Sequence, residues 1–420
     1  MPVALKSDAG RMSTGVQERF GPTASRTRRQ APVAEPADVL AVNRVGYFGG
    51  VERVILTAAS GAAAHGWSTA LACPPGDLAR VALARRIAVQ QVDVCSLSIA
   101  QIGRSPAAWA RTAGEVRRAG LGILRAASAA RVRIIHTHHP AVALQARRAA
   151  RLRNTPLVWH VHEAAPIPLH YRGLAAIIAR SCDMLLCVSD ASRSMVRQLG
   201  APEDRIRLVY NAVEPRFFEN VRATCARPAE GPNVGLFGVL EPRKGHADLI
   251  RACAALAERW PTLHLWIVGG PGAAGHKHYR AHLEELAQQL GIGARVHFTG
   301  RREDIPKLMS VMDAVVSASV CSESLPTALI EACALGVPVL GTDVGGTREI
   351  IRHGDTGLLA PAGAPAALAS HLAVLLSPAG QSLAQRARED AAMRFSPGRF
   401  AADIDACYRE IARRHEERPP

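Results

Sequence analysis

A chain of 420 residues and 44.7 kDa, 48% hydrophobic and 21% charged with a mean hydropathy of +0.04, has the composition of a globular protein, and its length suggests two or three domains. That composition excludes a wholly disordered chain, a collagen and a small disulfide scaffold. No apolar run approaches the roughly 18–20 residues that span a bilayer, and nine cysteines without a CxxC pair point to a reduced, cytoplasmic protein without structural zinc.

The formal charge of +15 sits in one half of the chain. Residues 1–230 carry 31 Lys and Arg against 16 Asp and Glu, whereas residues 231–420 carry 20 of each. From Arg104 to Arg153 eleven arginines face a single acid, Glu115. A field of one sign attracts an anionic partner: a phosphate-bearing substrate, an anionic membrane or nucleic acid.

In chain order, residues 1–37 read as a disordered tail, with no periodic apolar face and no apolar signal core. From residue 38 short Val/Ile/Leu-rich runs alternate with helical patterns at about 51–65, 141–151 and 172–181. This alternation predicts βαβ units and a parallel sheet buried on both faces. A polar, Pro- and Gly-containing stretch at 218–232 reads as a linker. The rhythm then restarts, with helices at about 245–259, 279–290, 304–311 and 326–335. The expected organisation is a first α/β domain over 38–222, a second over 223–394, and an amphipathic helix within 395–420 that crosses back to the first domain. Two open parallel sheets facing each other place a ligand in the cleft beyond their strand ends.

Three segments carry candidate chemistry. Ser319-Val-Cys-Ser-Glu323-Ser-Leu-Pro326-Thr-Ala-Leu-Ile-Glu331 puts Pro326 at the first position of a helix, with Ser324 as its cap. Glu323 then lies at the helix mouth and Glu331 inside it, at least about 8 Å apart along the axis. That is too far for a shared proton or metal and suits two parts of an extended ligand. The free amides of a helix start suit phosphate. In Gly238-Val-Leu-Glu-Pro-Arg243-Lys244-Gly245, Arg and Lys on a strand-to-helix loop suit a diphosphate. In Gly46-Tyr-Phe-Gly49-Gly50-Val-Glu52-Arg53, paired glycines let backbone approach a ligand closely.

Together these segments resemble family 4 of the retaining glycosyltransferases, along the chain from about residue 38 to the end. The family pattern is a GG-x-E turn, a G-x-L-x-x-x-K-G loop and an E-x7-E motif running into an EA-x-A-x-G-x-P helix. Val209-Tyr-Asn211-Ala-Val-Glu214, Val296-His-Phe-Thr-Gly300 and Gly345-Gly346-Thr-Arg-Glu349 also fit. The resemblance implies a GT-B architecture: two Rossmann-like, doubly wound parallel-sheet domains facing across a cleft. It implies transfer of a sugar from a nucleoside-diphosphate donor, UDP- or GDP-linked, to a saccharide or lipid-linked saccharide, with retention, in polysaccharide or cell-envelope glycan synthesis.

Carried over by motif, Arg243 and Lys244 hold the diphosphate, Glu331 the ribose and Glu323 the donor sugar, with Ser324, Leu325 and Thr327 beside it. Gly49 and Gly50 contact the ligand through backbone, Gly300, Arg301 and Arg302 border the base, and His162 faces the sugar. His138, His160, Glu163 and Asn211 are acceptor-side candidates. No cofactor and no metal is expected, because Arg and Lys take a cation's role and no DxD motif follows a strand. Two positions depart from the pattern: Val239 stands where many members have Arg, and Leu325-Pro326 where many have Phe-Gly.

The helix at about 107–130 has Arg104, Arg111, Arg118 and Arg125 at seven-residue spacing, with Trp109, Val116 and Ile123 in a second row. Such a helix suits an anionic leaflet on the inner face of the cytoplasmic membrane. The competing readings are a catalytically silent or epimerase-like relative that binds nucleotide sugars, and a nucleic-acid binder. The last lacks a reader module and interleaved aromatics, which are 4% of the chain, and no nucleic-acid partner is expected.

Overall fold

Branched side chains lose little freedom in extended backbone and pack against helices on both faces of a parallel sheet. A computed structural model describes residues 36–94, 106–164, 169–219, 225–272 and 278–417. In it these runs form β1 (Val39–Val42), β2 (Thr69–Cys73), β3 (Ala88–Gln91), β4 (Ile134–Thr137), β5 (Leu157–Val161), β6 (Met184–Cys187) and β7 (Ile206–Leu208). They pair as one sheet in the order β3-β2-β1-β4-β5-β6-β7. A second sheet holds β8 (Asn233–Phe237), β9 (His264–Val268), β10 (Val296–Gly300), β11 (Ala314–Ser317), β12 (Val339–Thr342) and β13 (Leu358–Ala360), in the order β10-β9-β8-β11-β12-β13. Every pairing is parallel, and β1, β4, β5 and β6 are buried along their whole length.

The strand order reverses between β1 and β4 in the first sheet and between β8 and β11 in the second. A crevice opens at such a point because successive connections leave on opposite faces. The segments singled out above begin at these strand ends: the paired glycines after β1, Arg243 and Lys244 after β8, and Glu323 after β11.

The last helix, Pro397–Glu416, packs on the first sheet rather than the second. Phe400, Ile404, Cys407, Tyr408 and Ile411 are buried with Val54, Trp67, Ile134, Val158 and Met184. It crosses helix Gly50–Ala64 so closely that a Cβ on Gly61 would lie 2.8 Å from that of Ala401. Trp67 Nε1 donates to Asp405 Oδ1 at 2.8 Å.

Several elements differ from the sequence expectation. Helices Asp77–Ala84, Asp190–Gln198, Pro365–Leu375 and Pro378–Arg394 and the edge strand β3 are additional. Of the expected tail, residues 1–35 lie outside the described residues, but Ala37 is buried and its amide donates to Ala130 O at 2.9 Å. The domain thus begins before residue 38. In the expected linker, residues 220–224 lie outside the described residues, and Phe218 O accepts from Arg388 Nη2 at 2.9 Å. The basic helix spans Pro106–Ala129 with Arg111, Arg118 and Arg125 exposed and Ile123 buried. Arg104 and the side chain of Trp109 lie outside the described residues. Among the described residues no helix is long and apolar enough to cross a membrane.

Candidate functional site

The second lobe builds a cationic corner. After β8 the chain makes a short 3-10 turn at Pro242–Lys244, closed by Gly245 at φ 68°. A Cβ there would sit 1.8 Å from Ala318 O, so glycine lets the loop seat against the end of β11. This seat aims both cations at one carboxylate. Glu323 Oε1 accepts from Lys244 Nζ at 2.6 Å, Arg243 Nη1 at 3.1 Å and Ser319 Oγ at 2.9 Å. Arg243 Nε also donates to Glu241 Oε2 at 2.6 Å.

The Glu323 loop is braced from behind by the Gly345-Gly346 turn, whose Cβ atoms would meet Glu323 O at 2.0 Å and Ser324 O at 1.9 Å. The helix in front begins at Thr327. Pro326 is its N-cap, in extended backbone at φ −68° and ψ 98°, with no side-chain cap. This corrects two expectations: Pro326 is not the first helical residue, and Ser324 does not cap the helix. Ser324 Oγ instead donates to His162 O of the first lobe at 2.5 Å, and Ser322 Oγ donates to Ala164 O at 3.2 Å.

Further contacts join the lobes. Arg301 Nη2 donates to Phe48 O at 2.5 Å. Glu349, from the GG-x-x-E segment, accepts the Asp190 and Ala191 amides at 2.7 and 3.2 Å, where the first-turn N–H groups of helix Asp190–Gln198 lack partners in the helix and its dipole favours an anion. Glu331 is 8% exposed on helix Thr327–Leu335. Burial pushes its carboxyl up to about 7, opposed by Arg53, whose Nη1 lies 3.4 Å from Glu331 Oε1. Arg53, Ser322 and Glu349 are cross-lobe partners to which the sequence motifs assign no role. Arg53 had one available signal, its place directly after the GG-x-E turn.

On the first lobe, among the described residues, a Cβ on Gly50 would meet nothing within 4 Å, and helix Gly50–Ala64 opens there without a side-chain cap. At the ends of β4 and β5, His136, His138, His160 and His162 share one face because strand side chains alternate. Their rings stack, with centroids 4.4 Å apart within each pair and tilts of 14–37°. His138 Nδ1 and His162 Nε2 share a hydrogen bond at 3.2 Å, and His136 Nδ1 meets Tyr408 Oη at 2.7 Å. Burial lowers His136 and His162 to about 3 and holds His138 and His160 well below the usual histidine value. The stack is therefore neutral at pH 7.

Donor nitrogens of His136, His138 and His160 lie within 4.8 Å of one another. One nitrogen of His136 and one of His138 are already engaged, by Tyr408 Oη and His162 Nε2 respectively.

A cleft of about 580 Å³ runs between the lobes. Of the residues chosen from the sequence, Gly49, Gly50, His162, Glu163 and Asn211 line it from the first lobe. Arg243, Lys244, Arg301, Arg302, Glu323, Ser324, Leu325, Thr327 and Glu331 line it from the second. Gly300, His138 and His160 do not. His138 and His160 are 3% and 0% exposed behind His162, which corrects their placement as acceptor-side residues. Among the described residues, Glu163 has one carboxylate oxygen buried without a partner, and burial pushes its carboxyl up to about 7 against the lowering effect of Arg44.

Residues 218–393 match the family described as glycosyl transferases group 1, and residues 48–217 match glycosyltransferase family 4. A D-inositol 3-phosphate glycosyltransferase of Corynebacterium urealyticum is 34% identical over 210 residues, 49% of this chain and 49% of that protein. An N-acetyl-alpha-D-glucosaminyl L-malate synthase of Bacillus anthracis is 27% identical over 238 residues, 55% of this chain and 60% of that one. The match thus spans about half the length of the D-inositol 3-phosphate enzyme. In fold, the chain is similar to Anabaena Alr3699/HepE, solved in complex with UDP and glucose, with a TM-score of 0.73 at 22% identity, covering 91% of this chain and 100% of that one.

Proposed function

This chain belongs to the group 1, or family 4, glycosyltransferases and has their GT-B fold, and from that premise we propose that it moves a sugar from a nucleoside-diphosphate donor to a hydroxyl of a saccharide or lipid-linked acceptor with retention. The observation that carries this reading is the convergence of Arg243, Lys244 and Glu323 at the mouth of helix Thr327–Leu335, facing the first lobe. In that setting the diphosphate takes over the two cations. Charge that develops on the leaving phosphate meets donors already oriented, usually the largest single term in such catalysis. These side chains supply the positive charge that a metal ion would otherwise bring.

Glu323, released from its cations, orients hydroxyls of the donor sugar, and Glu331 accepts from the ribose. The bond from the anomeric carbon to the phosphate oxygen breaks with its electron pair leaving on the diphosphate. The acceptor oxygen bonds to the same face, and its proton passes to the departing phosphate oxygen. Glu163, with its free buried oxygen, holds an acceptor hydroxyl.

The test is transfer from UDP-, GDP- and ADP-sugars, with the product linkage read by NMR. An α-linked donor is expected to give an α-linked product. A β-linked product overturns retention, and sugar isomerisation without transfer overturns the reaction class.

The exposed arginines of helix Pro106–Ala129 are proposed to bring the enzyme to an anionic leaflet, each contributing about 1 kcal/mol near the surface. Flotation with phosphatidylglycerol vesicles at low salt should carry the protein upward, and high salt should release it. Protein that stays at the bottom at low salt contradicts membrane docking.

A further inference from the structure

Arg53 stands on the first turn of helix Gly50–Ala64 in one lobe, and Glu331 on helix Thr327–Leu335 of the other. Their side chains meet at 3.4 Å across the cleft, and both line it. The remaining charged groups facing Glu331 come from the turn at Pro215–Phe217: Glu214 opposes its ionisation and Arg216 favours it. Arg216 is bound to Glu214 at 2.8 Å, and Arg85 holds the same carboxylate at 2.6 Å. Among the described residues, Arg53 is therefore the cation in direct contact with Glu331. The ribose of a nucleotide offers hydroxyl donors but no positive charge. A buried carboxylate that accepts from them still needs a counter-charge, since an uncompensated buried charge is strongly unfavourable.

We infer that Arg53 is a positioning residue of the donor site: a guanidinium supplied by the acceptor lobe that counter-charges Glu331, so that this carboxylate binds the ribose of a nucleoside diphosphate in full strength only with the lobes together. The inference rests on the proposed function and deepens it. It makes the nucleotide site a product of both lobes, although Lys244, Glu323 and Glu331 all belong to the second. Donor binding and lobe closure then favour each other, because each gains from the same ion pair.

The experiment is calorimetric titration of the full chain with whichever of UDP, GDP and ADP it binds, from pH 6 to 9. Wild-type affinity is expected to fall as the pH drops through about 7, where the Glu331 carboxyl takes up a proton. Loss of a facing cation raises a carboxyl by about one unit or more. Arg53→Ala should therefore move that fall upward by about one pH unit and weaken binding by about fivefold at pH 7 and about tenfold at pH 6, with recovery at pH 9. Arg53→Lys should keep most of the wild-type profile. Glu331→Gln should abolish this component, which separates it from the titration of the terminal phosphate near pH 6. An Arg53→Ala profile identical to wild type overturns the inference and leaves the proposed function standing. A wild-type chain that binds none of the three nucleotides overturns both. Should Arg53→Ala fail to fold, Arg53→Gln takes its place: a profile moved upward supports the inference, and one identical to wild type overturns it.

Discussion

Replacement of Lys244 by Met is expected to lower kcat/KM for the nucleotide sugar by about 10²–10³-fold, corresponding to about 2.7–4 kcal/mol of transition-state stabilisation. The magnitude follows from its surroundings. The Lys244 and Glu323 side chains are only 18% and 10% exposed, so the ammonium acts through a medium that screens it poorly. Arg243 is 46% exposed and shared between Glu241 and Glu323, so Arg243→Met should cost less, about tenfold. The two substitutions touch one carboxylate, and their effects should not add. Steady-state kinetics with a saturating acceptor checks the order. A loss for Lys244→Met below tenfold, or smaller than that for Arg243→Met, contradicts the assignment of Lys244 as the main diphosphate contact.

Phe400→Ala is expected to destabilise the protein by about 3–5 kcal/mol, as large-to-small changes in a packed core do. Phe400 is 0% exposed in the cluster that fastens the last helix to the first sheet. Its loss leaves a cavity beside His160, whose ring centroid lies 6.4 Å away. The histidine stack behind His162 therefore loses its cover along with the helix. Met393→Ala is the contrasting control: Met393 is 69% exposed, and surface changes stay within about 0.5 kcal/mol. The denaturant midpoint reads both, with an unchanged slope showing that cooperativity is preserved. Equal midpoints would show that the crossing helix contributes little to the first lobe.

Much of this fold is legible in the sequence because fully buried parallel strands leave uninterrupted Val/Ile/Leu runs, and the runs at β1, β4, β5 and β6 are of that kind. β3 escapes for the same reason in reverse: it is a half-exposed edge carrying Gln90 and Gln91, with no apolar run to find. Helix Asp190–Gln198 starts with a Ser189–Ser192 capping box, a weaker signal than Ser with Glu or Gln three residues on. Helices Pro365–Leu375 and Pro378–Arg394 each carry proline in the first turn, a mark of a helix start that apolar periodicity alone does not use.

The site is legible in its members more than in its geometry. Motif spacing places Lys244 and Glu323 on neighbouring strand ends, because the switch-point rule locates loops without knowledge of side chains. Ser324 reads as a cap on local grounds, whereas its hydroxyl is committed to a carbonyl of the opposite lobe. His138 and His160 read as ligand-facing because they end strands. Strand alternation puts them on a buried face, where His160 packs beside Phe400 of a helix more than two hundred residues later, and nothing local announces that. Arg53 and Glu331, 278 positions apart, meet only through domain closure.

Calorimetric titration of the full chain with UDP, GDP and ADP at pH 8, alongside Lys244→Met, addresses the cationic corner most directly. One of the three nucleotides should bind the wild type, and Lys244→Met, folded by its melting curve, should lose most of that affinity. Absence of binding by all three, or equal affinity in the variant, would contradict the claim that this corner grips a diphosphate.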